Sequence, residues 1–329
     1  MVPVINFHND LLGCVEGNEK KYDFNSREVM TSIPQMQEGG VRIETLAIGV
    51  LTLESSVQKA QRQLVLYQKL LKEHKEQVAS LSNYSKETKK IHFLLALENA
   101  SGLLISGESF DLAVKRLEAI RLVERILYIS LTWNHENVFG GGNASKTGLK
   151  EAGKELLKYM HQKEIAIDFS HTSDALAYDI LNFIDQNNLE IPFIVSHSNF
   201  RPIKDVPRNL PDELTKELIK RGAVIGLNFV RHFIGDNPED FLEHIEHAFK
   251  LGAEDALVLG ADFFGGFVVL ENLSSKLQLP MFQEGFGDSS CYPKFIELLK
   301  TRFDEQVIRK ITYENGLSYL EKLLKKSLS

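Results

Sequence analysis

The chain of 329 residues has only two cysteines, Cys14 and Cys291, and a single tryptophan. Two cysteines this far apart do not make a disulfide framework. No apolar run approaches the roughly 18–20 residues needed to span a bilayer, so no membrane segment is expected. The opening Met1-Val2-Pro3-Val4 has no basic stretch, apolar core or cleavage site ahead of the first strand-like run. A cytoplasmic location is therefore the expectation. Positive charge is not in excess: the net charge is −7, and no basic cluster or interleaved aromatic platform occurs. That argues against nucleic acid as the main partner. No linker or low-complexity stretch breaks the pattern, so residues 1–329 are expected to form a single domain.

What the sequence does have is apolar residues, 43% of the chain, gathered into eight runs of strand length. They are Val4–Asp10, Glu44–Val50, Ile91–Glu98, Arg125–Trp133, Glu164–His171, Pro192–Ser198, Ala223–Phe229 and Ala256–Phe263. Helical patterns separate most of them, among them a long one from Ser55 to about Leu81, in which Val57, Ala60, Leu64, Tyr67 and Leu71 recur every three or four residues. Other helices are expected over Phe110–Leu122, Leu149–Gln162, Asp212–Lys220 and Pro238–Leu251. Thr172-Ser173-Asp174 can cap a further one that reaches Ile184. Near-continuous apolar strands imply a parallel sheet covered by helices. Eight such units fit a (β/α)8 TIM barrel better than a doubly wound sheet, whose Gly-rich fingerprint is missing after the first strand. After a Gly-rich loop, extra C-terminal helices are expected over Tyr292–Arg302 and Glu314–Lys326.

The strand ends carry residues that packing alone does not ask for. His8 and Asp10 close the first run, two positions apart and so on one face of a strand. Glu98 closes the third, His171 the fifth, His197 lies in the sixth and Asp262 in the eighth. In a barrel these ends form one rim, where active sites lie. Three imidazoles with two or three carboxylates suit zinc or another borderline metal, not calcium. Glu98 is the best-placed carboxylate to bridge two metals, because it lies between His8/Asp10 and His171/His197 around the barrel. Two metals would activate a shared water and polarise a carbonyl, with Asp262 left over as a proton carrier. Arg208, in Val206-Pro207-Arg208-Asn209-Leu210-Pro211, is either a solvated surface arginine or a fork for a substrate carboxylate.

In order along the chain, His8-Asn9-Asp10, Glu98, Asp168-Phe169-Ser170-His171, Ser196-His197-Ser198, Arg208-Asn209-Leu210-Pro211-Asp212 and Gly260-Ala261-Asp262-Phe263 resemble the membrane (renal) dipeptidases, a family of zinc dipeptidases with a (β/α)8 barrel. The resemblance covers nearly the whole chain. It implies two zinc ions per chain, one on His8, Asp10 and Glu98, the other on Glu98, His171 and His197, with a bridging hydroxide that attacks the peptide bond of a dipeptide. It implies that Arg208 binds the C-terminal carboxylate, that Asp262 passes the proton to the leaving amine, and that a homodimer is possible.

Two departures stand out. Trp133 follows Leu131-Thr132 where many members have His, a residue that helps to bind the scissile carbonyl. His135 or Asn134 are candidates to replace it, and Trp133 resembles a bacterial branch of the family. Phe264 follows Asp262-Phe263 where Asp is usual. Two other readings stay open: an amidohydrolase acting on an N-acyl amino acid or a small cyclic amide, and a metal-binding protein that has lost turnover. Asn228 and His232 are further possible substrate contacts near the rim. Gly140–Thr147 resembles a phosphate loop, but Ser145 stands where the Gly before the Lys is required; a mobile rim loop is expected. His244 and His247 read as part of a solvated helix face with Glu243 and Glu246.

Overall fold

The structure is a computed structural model that describes residues 2–84, 88–265, 280–325 and 328. The Gly-rich loop expected after the eighth apolar run lies, over 266–279, outside the described residues, as does Lys326 at the end of the last expected helix. The strands are β1 (Val4–Asn9), β2 (Val41–Gly49), β3 (Val78–Ser80), β4 (Ile91–Glu98), β5 (Ile126–Ser130), β6 (Ala166–Asp168), β7 (Phe193–Val195), β8 (Val224–Leu227) and β9 (Leu257–Leu259). Pairing runs β2-β1-β9-β8-β7-β6-β5-β4, and β4 pairs back onto β2. Eight parallel strands therefore close into a (β/α)8 barrel.

The helices in chain order are α1 (Leu11–Val15), α2 (Ile33–Glu38), α3 (Ser56–Glu73), α4 (Phe110–Val123), α5 (Glu151–Lys163), α6 (Asp174–Gln186) and α7 (Asp212–Lys220). They continue with α8 (Arg231–Ile234), α9 (Glu239–Lys250), α10 (Tyr292–Leu299), α11 (Glu305–Arg309) and α12 (Asn315–Leu324). The expected cap of α6 forms: the Ser173 hydroxyl accepts from the Leu176 N–H. None of the described helices is long and apolar enough to cross a membrane.

The long helix after β2 ends at Glu73, not near Leu81. Beyond it the apolar spacing lapses into His74-Lys75-Glu76-Gln77, which turns the chain. Val78–Ser80 then pairs with Ile91–Phe93 as β3, using an edge of β4 below the point where β5 begins. Strand pairing buries Val78 and Leu81, which a solvent-facing helix end would leave exposed.

Two apolar layers position the rim. One lies between the strands and the surrounding helices. The other fills the barrel with Ile5, Phe7, Ile43, Leu94, Ala96, Leu127, Ile194, Val224 and Val258. Its floor is closed by α12, which places Tyr319, Leu320 and Leu323 against those residues. The Tyr319 ring meets Phe7 edge-on at 6.0 Å, and its hydroxyl donates to the Phe193 carbonyl at 3.0 Å. Polar side chains are left to the opposite mouth. Several apolar runs outlast their strands: β5 ends at Ser130 and β6 at Asp168, and the next residues carry Trp133 and His171 over the rim.

Candidate active site

The barrel mouth gathers the residues that the strand ends pointed to. The ligand atoms of His8, Asp10 and Glu98 lie within 4.8 Å of one another, and so do those of Glu98, His171 and His197. A third such group, His8, His197 and Asp262, ties the two together. The two oxygens of Glu98 divide between the sides. Oε2 faces His8 Nε2 at 3.8 Å; Oε1 faces His171 Nε2 at 2.9 Å and His197 Nε2 at 3.5 Å. Such closeness requires Gly49 on the neighbouring strand. A Cβ there would sit 2.9 Å from Glu98 Oε2 and 3.1 Å from Asp10 Oδ1.

Each imidazole is oriented by a partner on its far nitrogen. Tyr128 donates its hydroxyl to the Phe7 carbonyl at 3.0 Å and so accepts from His8 Nδ1 at 2.7 Å. Ser196 donates to Asp168 Oδ2 at 2.7 Å and so accepts from His197 Nδ1 at 2.6 Å. The amide oxygen of Asn134 accepts from His171 Nδ1 at 2.8 Å. In all three rings the proton is thus on Nδ1, and Nε2 turns a bare lone pair into the site. His8 Nε2 is buried without a hydrogen-bond partner. His171 Nε2 and His197 Nε2 face each other at 3.0 Å, where neither can donate. Lone pairs and carboxylates converging in this way fit divalent cations bound by nitrogen and oxygen.

Electrostatics agree. Burial, and then the Arg208 charge, pushes His8 down to about 3. Burial also holds His171 and His197 well below the usual imidazole value, helped by Arg208 and by neighbouring histidines. The carboxyls move the other way. Burial first, and then the charge of neighbouring carboxylates, Asp262 for Asp10 and Asp10 with Asp262 for Glu98, raises both well above the ordinary range. Burial lifts Asp262 to about 7, against the opposing pull of Arg208 and an Asn228 hydrogen bond. His171 (φ 65°) and Asp262 (φ 61°) also adopt the left-handed backbone that non-glycine residues rarely take, at a cost of about 1–3 kcal/mol each.

Arg208 is buried, not solvated. Its guanidinium donates to the Ser198 hydroxyl and, at 2.8 Å, to the His197 carbonyl, and lies over the Phe233 ring at 5.6 Å. Among the described residues no carboxylate lies within 4.0 Å of it, and its Nε is buried without a partner. Asn228 is held at both ends: Nδ2 donates to Asp262 Oδ2 at 2.9 Å, and Oδ1 accepts from the Val230 N–H at 2.7 Å. In this arrangement it orients Asp262. Half-buried Trp133 sets its ring 6.0 Å from that of His171, tilted by 31°. His135 is exposed, and half-buried His232 packs on Phe233; neither joins the groups that could hold a metal.

One expectation fails here. His244 is fully buried, not solvated: Nε2 donates to the Ile234 carbonyl at 3.0 Å, and Nδ1 accepts from the Phe200 N–H. His247 reaches Asp212 at 2.8 Å. Gly140–Thr147 is tied to its surroundings by backbone bonds, Asn143 N–H to the His171 carbonyl and Ala144 N–H to the Asn134 carbonyl among them, and a Cβ on Gly142 would overlap the Trp133 carbonyl at 1.8 Å.

The pattern of the membrane dipeptidases, peptidase family M19, matches residues 1–327. The chain belongs to that family. It is accordingly a metal-dependent dipeptidase. Among curated proteins the dipeptidase is similar to an uncharacterized protein in the pqqA 5' region of Klebsiella pneumoniae, at 27% identity over 72% of this chain and 83% of the relative. It is also similar to an uncharacterized dipeptidase of Schizosaccharomyces pombe, at 28% identity over 54% of this chain, but that match spans only 41% of the yeast protein. Among solved structures, the fold is shared with a metallo peptidase from Rhodobacter sphaeroides liganded with a phosphinate mimic of the dipeptide L-Ala-D-Ala. The TM-score is 0.80 at 20% identity, over 98% of this chain and 99% of that one.

Proposed function

We propose that the dipeptidase cleaves the peptide bond of dipeptides at two zinc ions bridged by Glu98, with His8 and Asp10 on one side and His171 and His197 on the other. The observation that carries this reading is the division of the Glu98 oxygens, one toward each set of imidazole lone pairs. Bound zinc would supply an activated shared water as nucleophile and a polarised scissile carbonyl.

The chain's own residues supply the rest. Arg208, a buried fork without an anion partner among the described residues and with its Nε unpaired there, takes the free C-terminal carboxylate of the substrate. A buried guanidinium in need of a carboxylate favours short substrates, because a longer chain has no carboxylate at that distance from the cleaved bond. Asp262, the rim carboxyl left outside the two ligand sets, donates a proton to the leaving amine. Asn228 fixes Asp262 Oδ2, so that Oδ1 faces His8 at 3.7 Å. The dipeptide mimic on the Rhodobacter neighbour supports a ligand of this size. Trp133 offers an apolar face beside His171, which favours a second reading with an N-acyl amino acid as substrate.

Elemental analysis of the protein beside a Glu98→Gln variant tests the metal centre. About two zinc per chain, falling sharply in the variant, is expected; one or none in the native chain overturns the bridge. A panel of dipeptides against N-acetyl amino acids tests the substrate. Two bound zinc ions without turnover of any dipeptide would overturn that part.

A further inference from the structure

Asp168 at the end of β6 is fully buried, yet among the described residues no cation pairs with it. Four donors converge on it. Oδ1 accepts from the backbone N–H groups of Ser170 at 3.0 Å and Ser196 at 2.8 Å. Oδ2 accepts from the hydroxyls of Ser130 at 2.6 Å and Ser196 at 2.7 Å. The Ser196 hydroxyl has two oxygen acceptors in reach, Asp168 Oδ2 at 2.7 Å and Ser170 Oγ at 3.1 Å, and the nearer, the carboxylate, takes its proton. That leaves the Ser196 oxygen to accept from His197 Nδ1, and His197 Nε2 is left bare.

We infer that Asp168 is a positioning residue for the metal centre: through Ser196 it sets the direction of the hydrogen bonds that keep the His197 Nε2 lone pair free for zinc. An asparagine of the same shape would reverse that direction. Its amide oxygen must occupy the side that receives the two backbone N–H groups, so its NH2 faces the hydroxyls and donates to Ser196. The Ser196 proton then turns to His197 Nδ1 at 2.6 Å, nearer than the Ser170 oxygen at 3.1 Å, and the ring proton moves to Nε2, where it blocks the ligand position. This inference rests on the reading of His197 as a zinc ligand.

The test compares Asp168→Asn, Ser196→Ala and Ser130→Ala with the native chain. Nitrogen-15 NMR of histidine-labelled, zinc-free protein reads the His197 tautomer, and competition with a chromogenic chelator reads zinc affinity. The native ring is expected to carry its proton on Nδ1 and the Asp168→Asn ring on Nε2. Zinc affinity should fall about 10–100-fold in Asp168→Asn and Ser196→Ala. It should change less than about threefold in Ser130→Ala, which removes a donor to Asp168 without touching His197. A native ring protonated on Nε2 overturns the inference even if no variant folds. So does an equal loss of affinity in Ser130→Ala, which would mark a packing effect. The tautomer is read without metal and the metal count without the tautomer, so failure here and failure of the two-zinc reading are distinguishable.

Discussion

The Nε2 atoms of His171 and His197 lie 3.0 Å apart with both ring protons on the far nitrogens. Two lone pairs at that distance repel unless a cation lies between them and the facing Glu98 oxygen. Zinc binding to the folded chain alone must then stabilise it. At free zinc about 100-fold above Kd, the gain is about 2.7 kcal/mol. For a chain of 329 residues that raises Tm by roughly 4 °C. A melting curve unmoved by zinc would contradict the arrangement.

The zinc-free chain should lose stability as pH rises from about 6.5 to 8. Asp10, Glu98 and Asp262 all titrate above their unfolded values, Asp262 at about 7. A raised carboxyl favours the folded state below its unfolded value, and the benefit disappears as pH rises through the folded one. The depressed histidines act oppositely, but their effect falls below about pH 6.5, where the unfolded rings gain protons that the folded ones refuse. Thermal melts in the two buffers decide this. A flat or rising Tm would mean that the carboxyls are not strained, and Asp262→Asn should flatten the fall.

Gly49→Ala is a small change with a specific target. The new methyl would press on Glu98 Oε2 and Asp10 Oδ1, one oxygen from each of two carboxylates of the proposed metal centre. We expect zinc affinity to fall at least tenfold, with about 1–3 kcal/mol of destabilisation from overpacking. Chelator competition separates the effects, and full affinity in a destabilised variant would show that the carboxylates have room to move.

Arg208→Lys keeps the charge but loses the fork. KM for dipeptides should rise about 10–100-fold, since a charge-assisted hydrogen bond contributes about 1.5–3 kcal/mol. Dipeptide amides, which lack the carboxylate, should be poor substrates of both proteins alike. Equal losses on acids and amides would place Arg208 in support of the rim and not on the substrate.

Much of this site was legible because strand ends are local. An apolar run that stops at His8-Asn9-Asp10, at Glu98 or at His171 places its residue on the rim whatever the rest of the chain does. What holds these residues was not legible, because it comes from distant strands. His8 takes its orientation from Tyr128, and His171 from Asn134. One signal was available: a tyrosine inside an apolar strand needs a partner for its hydroxyl, and Tyr128 has one in the Phe7 carbonyl. The charged, patternless stretch after Glu73 hid β3, since Val78 prefers a strand only where Ile91 is there to pair with it. Helical spacing put His244 beside Glu243 and Glu246 without showing that it points inward, under the Phe200 turn.

The contact between Phe7 and Tyr319 joins residues from opposite ends of the described chain. During synthesis on a ribosome, β1 emerges first, but its inner face must wait for α12 before the floor is complete. The barrel can likewise close its ring of hydrogen bonds only after β9 has emerged to pair with β1. His8 and Asp262, on the two sides of that closing seam, therefore meet only after β9 has been made, so the candidate site is completed by the same step that closes the barrel.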